Sequence, residues 1–295
     1  MQFIDLEKQY ELYQSDIQHR MDQVLAHGKF INGPEIQELE EKFAGYVHRQ
    51  YAIGCASGTD ALFMALLALD IGHGDEVITT PFTWISSAEV ISLVGATPRF
   101  VDIQPDTFNI DPAQIEPAIN SNTKAILPVD LFGQMADYER INQIAEKHNL
   151  AVIEDAAQSF GAQQNKQPAR SQGDIACTSF FPAKPLGCYG DGGCCFTDDD
   201  TLAQRLRAIR NHGGEQRHHH TRVGLNGRLD TMQAAILLAK WPYFDQEITA
   251  GARIGARYNE LLQDVCTVPY LKPQNTSVFA QYTIRCSDRD GLKDH

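Results

Sequence analysis

A lysine in an apolar, glycine-rich segment is the first residue that could do chemistry. Lys184 stands in the segment SFFPAKPLG, directly after a predicted buried strand, and the segment GDGG follows at 190–193. Desolvation there would lower the pKa of the lysine toward that of the neutral, nucleophilic amine that imine chemistry needs. A surface lysine on a turn is the alternative. The glycines are no dinucleotide fingerprint, because they precede a strand instead of opening a helix.

Two further segments could hold the charged parts of a ligand. The run SGTD, which begins at Ser57, closes a predicted strand and opens a helix, where free backbone N–H groups and the helix dipole attract phosphate. Asp155, in the segment VIEDAAQ, ends an apolar strand at the edge where open α/β sheets bind ligands, so it could meet a cationic group on a cofactor. Taken singly, each segment also fits an ordinary helix N-cap.

The elements that must position these residues follow a regular alternation. Seven β-branched runs alternate with helical patterns and cover residues 51–55, 76–80, 99–103, 125–129, 151–155, 176–181 and 193–197. This alternation predicts an α/β fold with a mixed, mostly parallel seven-stranded sheet that helices cover on both faces. Apolar residues at i, i+3, i+4 and i+7 predict helices over 62–69 and 141–148.

A smaller domain is predicted after residue 240. A helical stretch between residues 228 and 262 is interrupted at Pro242, and residues 277–285 (SVFAQYTIR) alternate like a strand with one buried face. We therefore divide the chain into a large domain with an N-terminal helical segment (1–240) and a linking helix with a partial small α+β domain (241–295). Because one strand with unpaired edges is not stable alone, we expect a C-terminal truncation or an unusually short natural chain.

The composition restricts the partners. Lys and Arg number 25 against 38 Asp and Glu, and the resulting net charge of −13 repels nucleic acid and anionic membranes. No apolar stretch is long enough to cross a bilayer, so we expect a cytoplasmic protein. The seven cysteines include no Cys-x-x-Cys pair and are interpreted as reduced packing residues. Three adjacent histidines at 218–220 cannot all converge on one ion, so no metal site is predicted.

The order of these segments has a known counterpart. A phosphate cradle, a strand-end carboxylate and then a lysine is the order found in pyridoxal-5'-phosphate (PLP) enzymes of the aspartate aminotransferase fold, fold type I. The segments SGTDAL, PFTW, VIEDAAQSFGA, TSFFPAKPLGCYGDGG and GLNGRLDTMQAAIL resemble those of the DegT/DnrJ/EryC1/StrS family of sugar aminotransferases and cover nearly the whole chain. The resemblance implies PLP as cofactor and conversion of a keto group on a nucleotide-linked sugar to an amine.

The resemblance extends to a particular substrate. Within the family, the chain is most similar to enzymes that act on UDP-2-acetamido-2-deoxy-3-oxo-glucuronate, with glutamate as the expected amino donor. Their products are used for lipopolysaccharide or other surface polysaccharides.

The resemblance also implies roles for single residues. Lys184 would form the internal aldimine with PLP and later move a proton between the substrate carbon and the cofactor. Asp155 would keep the pyridine nitrogen protonated. Gln158 would bond to the 3'-oxygen of the cofactor, and Trp84 would stack on the ring unless it is a core residue.

The remaining roles concern the phosphate group and the substrate. The implied phosphate ligands are Gly58, Thr59 and Ser179, together with Asn226 from a neighbouring subunit, so the active sites would be shared in a homodimer. Arg228 matches a family arginine that could bind a substrate carboxylate or phosphate, or form a structural salt bridge.

Two rival functions stay open at this point. A PLP-dependent sugar dehydratase would have the same fold but no lysine at the position of Lys184, which argues against it. A truncated, non-catalytic homologue that acts as a binding or assembly protein is the other alternative, since family members normally continue through a complete small domain.

Overall fold

The strands form one large sheet and two small hairpins. The computed structural model describes residues 4–169, 171–216 and 218–295. The strands of the large sheet are β1 (Tyr51–Cys55), β2 (Glu76–Thr79), β3 (Thr97–Phe100), β4 (Thr123–Ile126), β5 (Ala151–Asp155), β8 (Ile175–Ser179) and β9 (Gly193–Thr197). The hairpins are β6 (Gln163–Gln164) with β7 (Gln167–Pro168) and β10 (Gly214–Gln216) with β11 (His219–His220).

The large sheet has the order β1-β9-β8-β5-β4-β2-β3. Strand β9 runs antiparallel to both of its neighbours, and the other neighbouring strands are parallel. The predicted mixed, mostly parallel seven-stranded sheet is therefore confirmed. Parallel neighbours place several strand ends at one edge of the sheet, where ligands of open α/β sheets bind.

The helices follow the predicted pattern. They are α1 (Leu6–His27), α2 (Pro34–Tyr46), α3 (Gly58–Ala68), α4 (Ser86–Leu93), α5 (Pro112–Ala118), α6 (Tyr138–His148), α7 (Asp200–Ile209), α8 (Thr231–Lys240), α9 (Phe244–Leu262) and α10 (Arg289–Asp294). Helices α3 and α6 lie where helices were predicted over 62–69 and 141–148; α6 is amphipathic as expected, whereas α3 has no exposed residue. Pro242 lies in the 3-10 turn that separates α8 from α9, because proline lacks the N–H that a helix interior requires.

Buried side chains pack on both faces of the sheet. In β1, Ile53 belongs to the cluster that contains Leu62 of α3, whereas Ala52 belongs to the cluster that contains Phe43 of α2. Successive residues of a strand point to opposite faces, so one strand serves two apolar cores. In the described parts of the chain, no helix is long and apolar enough to cross a membrane.

The predicted strand over 277–285 is wrong. Ser277 pairs with Gln134, and Arg285 pairs with Thr267, but each pairing is an isolated bridge. Phe279 has φ 47°, in the left-handed region, which interrupts the extended repeat. The alternating pattern arises because Val278 is buried in the core around α6, with Ala280 packed against it.

Candidate active site

One cavity brings together most of the residues that the sequence singled out. It has a volume of about 390 Å³ and lies where β5 and β8 end and α3 begins. Seven of the nine predicted site residues line it, namely Gly58, Thr59, Trp84, Asp155, Gln158, Ser179 and Lys184. Asn226 and Arg228 are not among its lining residues.

The end of the cavity at α3 is built to receive an anion. Ser57 caps the helix, and its hydroxyl accepts a hydrogen bond from the N–H of Asp60 at 3.0 Å. A Cβ at Gly58 would lie 2.6 Å from the Cβ of Ser179, so only glycine lets the helix start approach the end of β8 this closely. The first N–H groups of a helix have no intrahelical acceptor, and here they lie beside the hydroxyls of Thr59 and Ser179.

A buried carboxylate lines the same cavity. Asp155 is 5% exposed and ends β5. Its Oδ2 accepts a hydrogen bond from the hydroxyl of Ser87 at 2.7 Å, and its Oδ1 accepts one from the N–H of Ala157 at 3.3 Å. Both of these donors are neutral, and they hold the carboxylate at the wall of the cavity, where its charge can act on a ligand.

Lys184 is half-buried in the loop that follows β8. Desolvation lowers the pKa of its ammonium, and the negative charge of Asp155 partly opposes that shift. The backbone N–H of Lys184 donates to the carbonyl of Phe181 at 2.8 Å, and the loop closes where the N–H of Cys188 donates to Phe180. Lys184 therefore loses its proton at a lower pH than a free lysine, and the charge of Asp155 influences its pKa.

A strained backbone orients Gln158. Phe132 has φ 60°, which is unusual for an aromatic residue, and its N–H donates to Oε1 of Gln158 at 2.9 Å. This bond fixes the orientation of the amide group of Gln158, whose Nε2 can donate to a ligand. Trp84 lies at the mouth of the cavity and is 72% exposed, so the possibility that it is a core residue is excluded.

The two predicted residues outside the cavity lie on one short segment beside β1. Asn226 pairs with Asn211, and Arg228 pairs with Cys55, both as isolated bridges. The Nη1 of Arg228 donates to Oδ1 of Asn211 at 3.3 Å. Within this chain, Arg228 therefore bonds to the side-chain amide of Asn211 and does not line the cavity.

The sequence interpretation missed several lining residues. Thr83, Ser86, Ser87, Asp191 and Gln281 all line the cavity. The hydroxyl-rich run TWISS at the start of α4 is a signal that could have indicated the first three, since hydroxyls at a helix start often serve ligands. Gln281 lies in the segment wrongly predicted as a strand and carried no such signal.

The triple histidine does not line this cavity. His219 and His220 form β11 and are exposed. Among the residues that the structure describes, no group of three His, Cys, Asp or Glu side chains is placed to hold a metal ion.

The residues of the cavity fit PLP. The cradle of α3 and Ser179 matches a phosphate, the buried Asp155 matches a protonated pyridine nitrogen, and the desolvated Lys184 matches an aldehyde. The fold and the cavity together define the class: a PLP enzyme of the aspartate aminotransferase fold.

Comparison with known proteins places the chain within that class. The DegT/DnrJ/EryC1/StrS aminotransferase family matches residues 12–295, and the chain belongs to this family of PLP-dependent sugar aminotransferases. It is 49% identical over 294 residues to the UDP-2-acetamido-2-deoxy-3-oxo-D-glucuronate aminotransferase of Pseudomonas aeruginosa, an alignment that covers 99% of this chain and 82% of the relative.

Solved structures agree with the fold. A DegT DnrJ EryC1 StrS aminotransferase from Brucella abortus superposes with a TM-score of 0.97 at 47% identity and covers 100% of this chain and 81% of the other. The NtdA protein of Bacillus subtilis, solved with bound cofactor PMP, superposes with a TM-score of 0.89 at 34% identity and covers 95% of this chain and 65% of the other. The fold type predicted from the sequence is confirmed.

Proposed function

We propose that this sugar aminotransferase converts the 3-oxo group of UDP-2-acetamido-2-deoxy-3-oxo-glucuronate to an amine, with glutamate as the amino donor. The observation that carries the chemistry is the placement of Lys184 and Asp155 on one cavity, next to an anion cradle. The 49% identity with the Pseudomonas aeruginosa enzyme, over 99% of this chain, supports the substrate. The product would be a 3-amino uronic acid sugar for lipopolysaccharide or another surface polysaccharide.

Each cavity residue then has a task. PLP, when bound, supplies an aldehyde that takes up the amino group and a ring that accepts electron density from the substrate carbon. The N–H groups of Gly58 and Thr59 and the hydroxyl of Ser179 would hold the phosphate. The charge of Asp155 would keep the pyridine nitrogen protonated, which maintains the ring as an electron acceptor.

The other residues position the reacting groups. The Nζ of Lys184 would accept the proton that leaves the donor carbon and would later return a proton to the sugar carbon. The Nε2 of Gln158 would donate to the 3'-oxygen of the cofactor, because its Oε1 is held by Phe132. Trp84 would cover one face of the ring from the mouth of the cavity.

We also infer a homodimer with shared active sites. Trp84 and Ile85 are 72% and 63% exposed beside the cavity, and Phe181 on its rim is 52% exposed. Apolar surface at a polar site is typical of an interface. Asn226 lies outside the cavity of its own chain, so it is available to reach the phosphate in a second copy.

We also propose a cytoplasmic location and a division of the chain into two domains. A nucleotide sugar and an amino acid are cytoplasmic metabolites, which supports a cytoplasmic enzyme. Residues 1–240 would form the PLP-binding domain, and residues 241–295 would form the linking helix and belong to a second, smaller domain. The length of α9 supports a linking helix.

The test measures the two halves of the reaction separately. Purified protein with PLP is mixed with glutamate, and the cofactor absorbance and 2-oxoglutarate are followed; the 3-oxo sugar nucleotide is then added, and the amino sugar is measured. We expect both halves to proceed, and we expect the second to fail with UDP-N-acetylglucosamine, which has no keto group. Failure of the donor half would exclude an aminotransferase and favour a non-catalytic homologue. Loss of a sugar hydroxyl without transfer of nitrogen would indicate a dehydratase.

A further inference from the structure

One residue of the cavity comes from a distant part of the chain. Seventeen of the eighteen lining residues lie between Ser57 and Asp191, and the eighteenth is Gln281. Gln281 also lines a second, smaller cavity of about 30 Å³, next to Phe108, Phe132 and Phe279. It therefore stands between the cofactor-sized space and an aromatic wall.

The backbone around Gln281 is fixed on both sides. Before it, the N–H of Val278 donates to the carbonyl of Gly133 at 3.1 Å. After it, the hydroxyl of Tyr282 donates to Oδ1 of Asn259 in α9 at 2.6 Å, and Arg285 exchanges two backbone hydrogen bonds with Thr267. A glutamine held between two such anchors is presented to the cavity at a defined position.

The amide oxygen of Gln281 has an unmet hydrogen-bonding capacity. Its Oε1 is buried and has no hydrogen-bond partner among the residues that the structure describes. A buried acceptor without a donor destabilises the folded protein, and in native proteins such an atom is usually paired, for example with a ligand or an ordered water. Since this atom belongs to a residue that lines the active-site cavity, a ligand can supply the missing donor.

The chemistry of the possible ligands selects among them. The phosphate and the pyridine nitrogen of PLP already have their own residues in the stretch from Gly58 to Ser179. An amino donor such as glutamate presents carboxylates, which only accept hydrogen bonds, and one ammonium group, whose nitrogen has to reach the aldehyde of the cofactor. A sugar ring presents hydroxyl and acetamido N–H groups, which donate hydrogen bonds.

We propose that Gln281 binds the sugar ring of the nucleotide-sugar substrate, with its amide oxygen accepting a hydrogen bond from a hydroxyl or acetamido N–H, and that it contributes to the choice of sugar. This inference rests on the proposed function. Sites built to hydrogen-bond a substrate group reject analogues that lack the group, because the buried protein atom is then left unpaired.

The test compares Gln281→Leu with Gln281→Glu in the full chain loaded with cofactor. Leucine removes the acceptor at a similar volume, whereas glutamate keeps an oxygen acceptor at the same reach. We expect Gln281→Leu to weaken the sugar half-reaction about tenfold to a hundredfold through KM and to leave the donor half-reaction within about twofold. Gln281→Glu should recover a large part of the loss.

Binding gives a readout that does not depend on turnover. Calorimetric titration of the PMP-loaded protein with the UDP-linked amino sugar should show the same loss in Gln281→Leu. Gln163→Leu serves as the matched control, because Gln163 is exposed and outside the cavity, and it should bind like the wild type.

Three outcomes would overturn the inference: unchanged sugar binding in Gln281→Leu, equal loss in both half-reactions, or no recovery in Gln281→Glu. Equal loss would mean that Gln281 orders the cavity as a whole, for example through a water. Failure of the proposed function is seen separately, because the wild type itself would then not transfer nitrogen to the sugar.

Discussion

Two buried aspartates near the ends of neighbouring strands differ in whether they line the cavity. Asp155 ends β5 and lines the cavity, whereas Asp130 follows β4 and is fully buried away from it. The carboxylate of Asp130 receives three hydrogen bonds from within the protein, donated by the N–H of Ala136, the hydroxyl of Tyr138 and the hydroxyl of Ser159. Burial, and then the charge of Glu154, raise the pKa of Asp130.

Two lysines show the same contrast. Lys184 is half-buried and lines the cavity, while Lys240 is only 2% exposed and donates from its Nζ to the carbonyl of Gly187 at 2.5 Å. Desolvation lowers the pKa of Lys240 to about 8. Strong burial and a shifted pKa therefore do not by themselves indicate a catalytic residue. What distinguishes Lys184 and Asp155 is that both line a space that a ligand can enter.

The largest effect is expected at the cavity lysine. Lys184→Ala should lower transamination by at least about a thousandfold, because it removes the amine that moves the proton in the proposed mechanism. The free energy of unfolding should change little, since the side chain is only half-buried. Turnover and urea denaturation check this, with Lys240→Met as the control that keeps most of its activity. Comparable losses of activity in both variants would remove the contrast between the two lysines.

The cavity aspartate should affect rate more than stability. Asp155→Asn should retain PLP but lower kcat by about a hundredfold to a thousandfold, because a neutral amide stabilises a protonated ring nitrogen poorly. Cofactor content by absorbance and steady-state kinetics separate the two quantities. Full turnover in this variant would mean that Asp155 has only a structural role, as we expect for Asp130.

Asp130 should affect stability more than rate. Asp130→Asn should lower the free energy of unfolding by about 1–3 kcal/mol, because an amide group cannot accept all of the hydrogen bonds that the carboxylate receives. The folded variant should keep kcat within about threefold of the wild type, a small change by comparison with loss of a proton-transfer group. Chemical denaturation and kinetics at saturating substrate check this. A collapse of kcat in folded protein would show that the network around Asp130 also tunes the cavity.

The smallest effect concerns pH. Because the pKa of Lys240 is about 8 in the folded chain and 10.5 ordinarily, the unfolded chain binds more protons between these values, so this lysine makes stability rise with pH there. Between pH 8 and 9, the wild type should gain on the order of 1 kcal/mol more than Lys240→Met. If the free energy of unfolding depends on pH in the same way in the wild type and in Lys240→Met, burial does not lower the pKa of Lys240.

Much of the fold and site could be predicted because the relevant signals are local. The strands over 51–55 and 193–197 match the prediction at both ends, since each is a short apolar run between turn residues. Lys184 and Asp155 were found because strand-end positions in a parallel sheet converge on one edge.

Other features depend on contacts that no local pattern carries. The alternating pattern over 277–285 exists because Val278 packs against a core formed by distant parts of the chain. Burial of a side chain does not require that its backbone form a strand. Asp130 is held by Tyr138 and Ser159, whose hydroxyls reach it only after the chain has folded back. Gln281 enters the cavity for the same reason.

The pairing of β1 with β9 also affects when the sheet can form during synthesis of the chain. Tyr51 pairs with Thr197, and Cys55, directly before the anion cradle, pairs with Gly193. A ribosome adds roughly 5–20 residues per second, so β1 waits on the order of ten seconds for the strand that completes its place in the sheet. Strand β8, the other neighbour of β9, ends fourteen residues before β9 begins, so its edge is open for only about one to three seconds at the same rate of synthesis. Nascent chains therefore expose the unpaired edge of β1 through most of that interval.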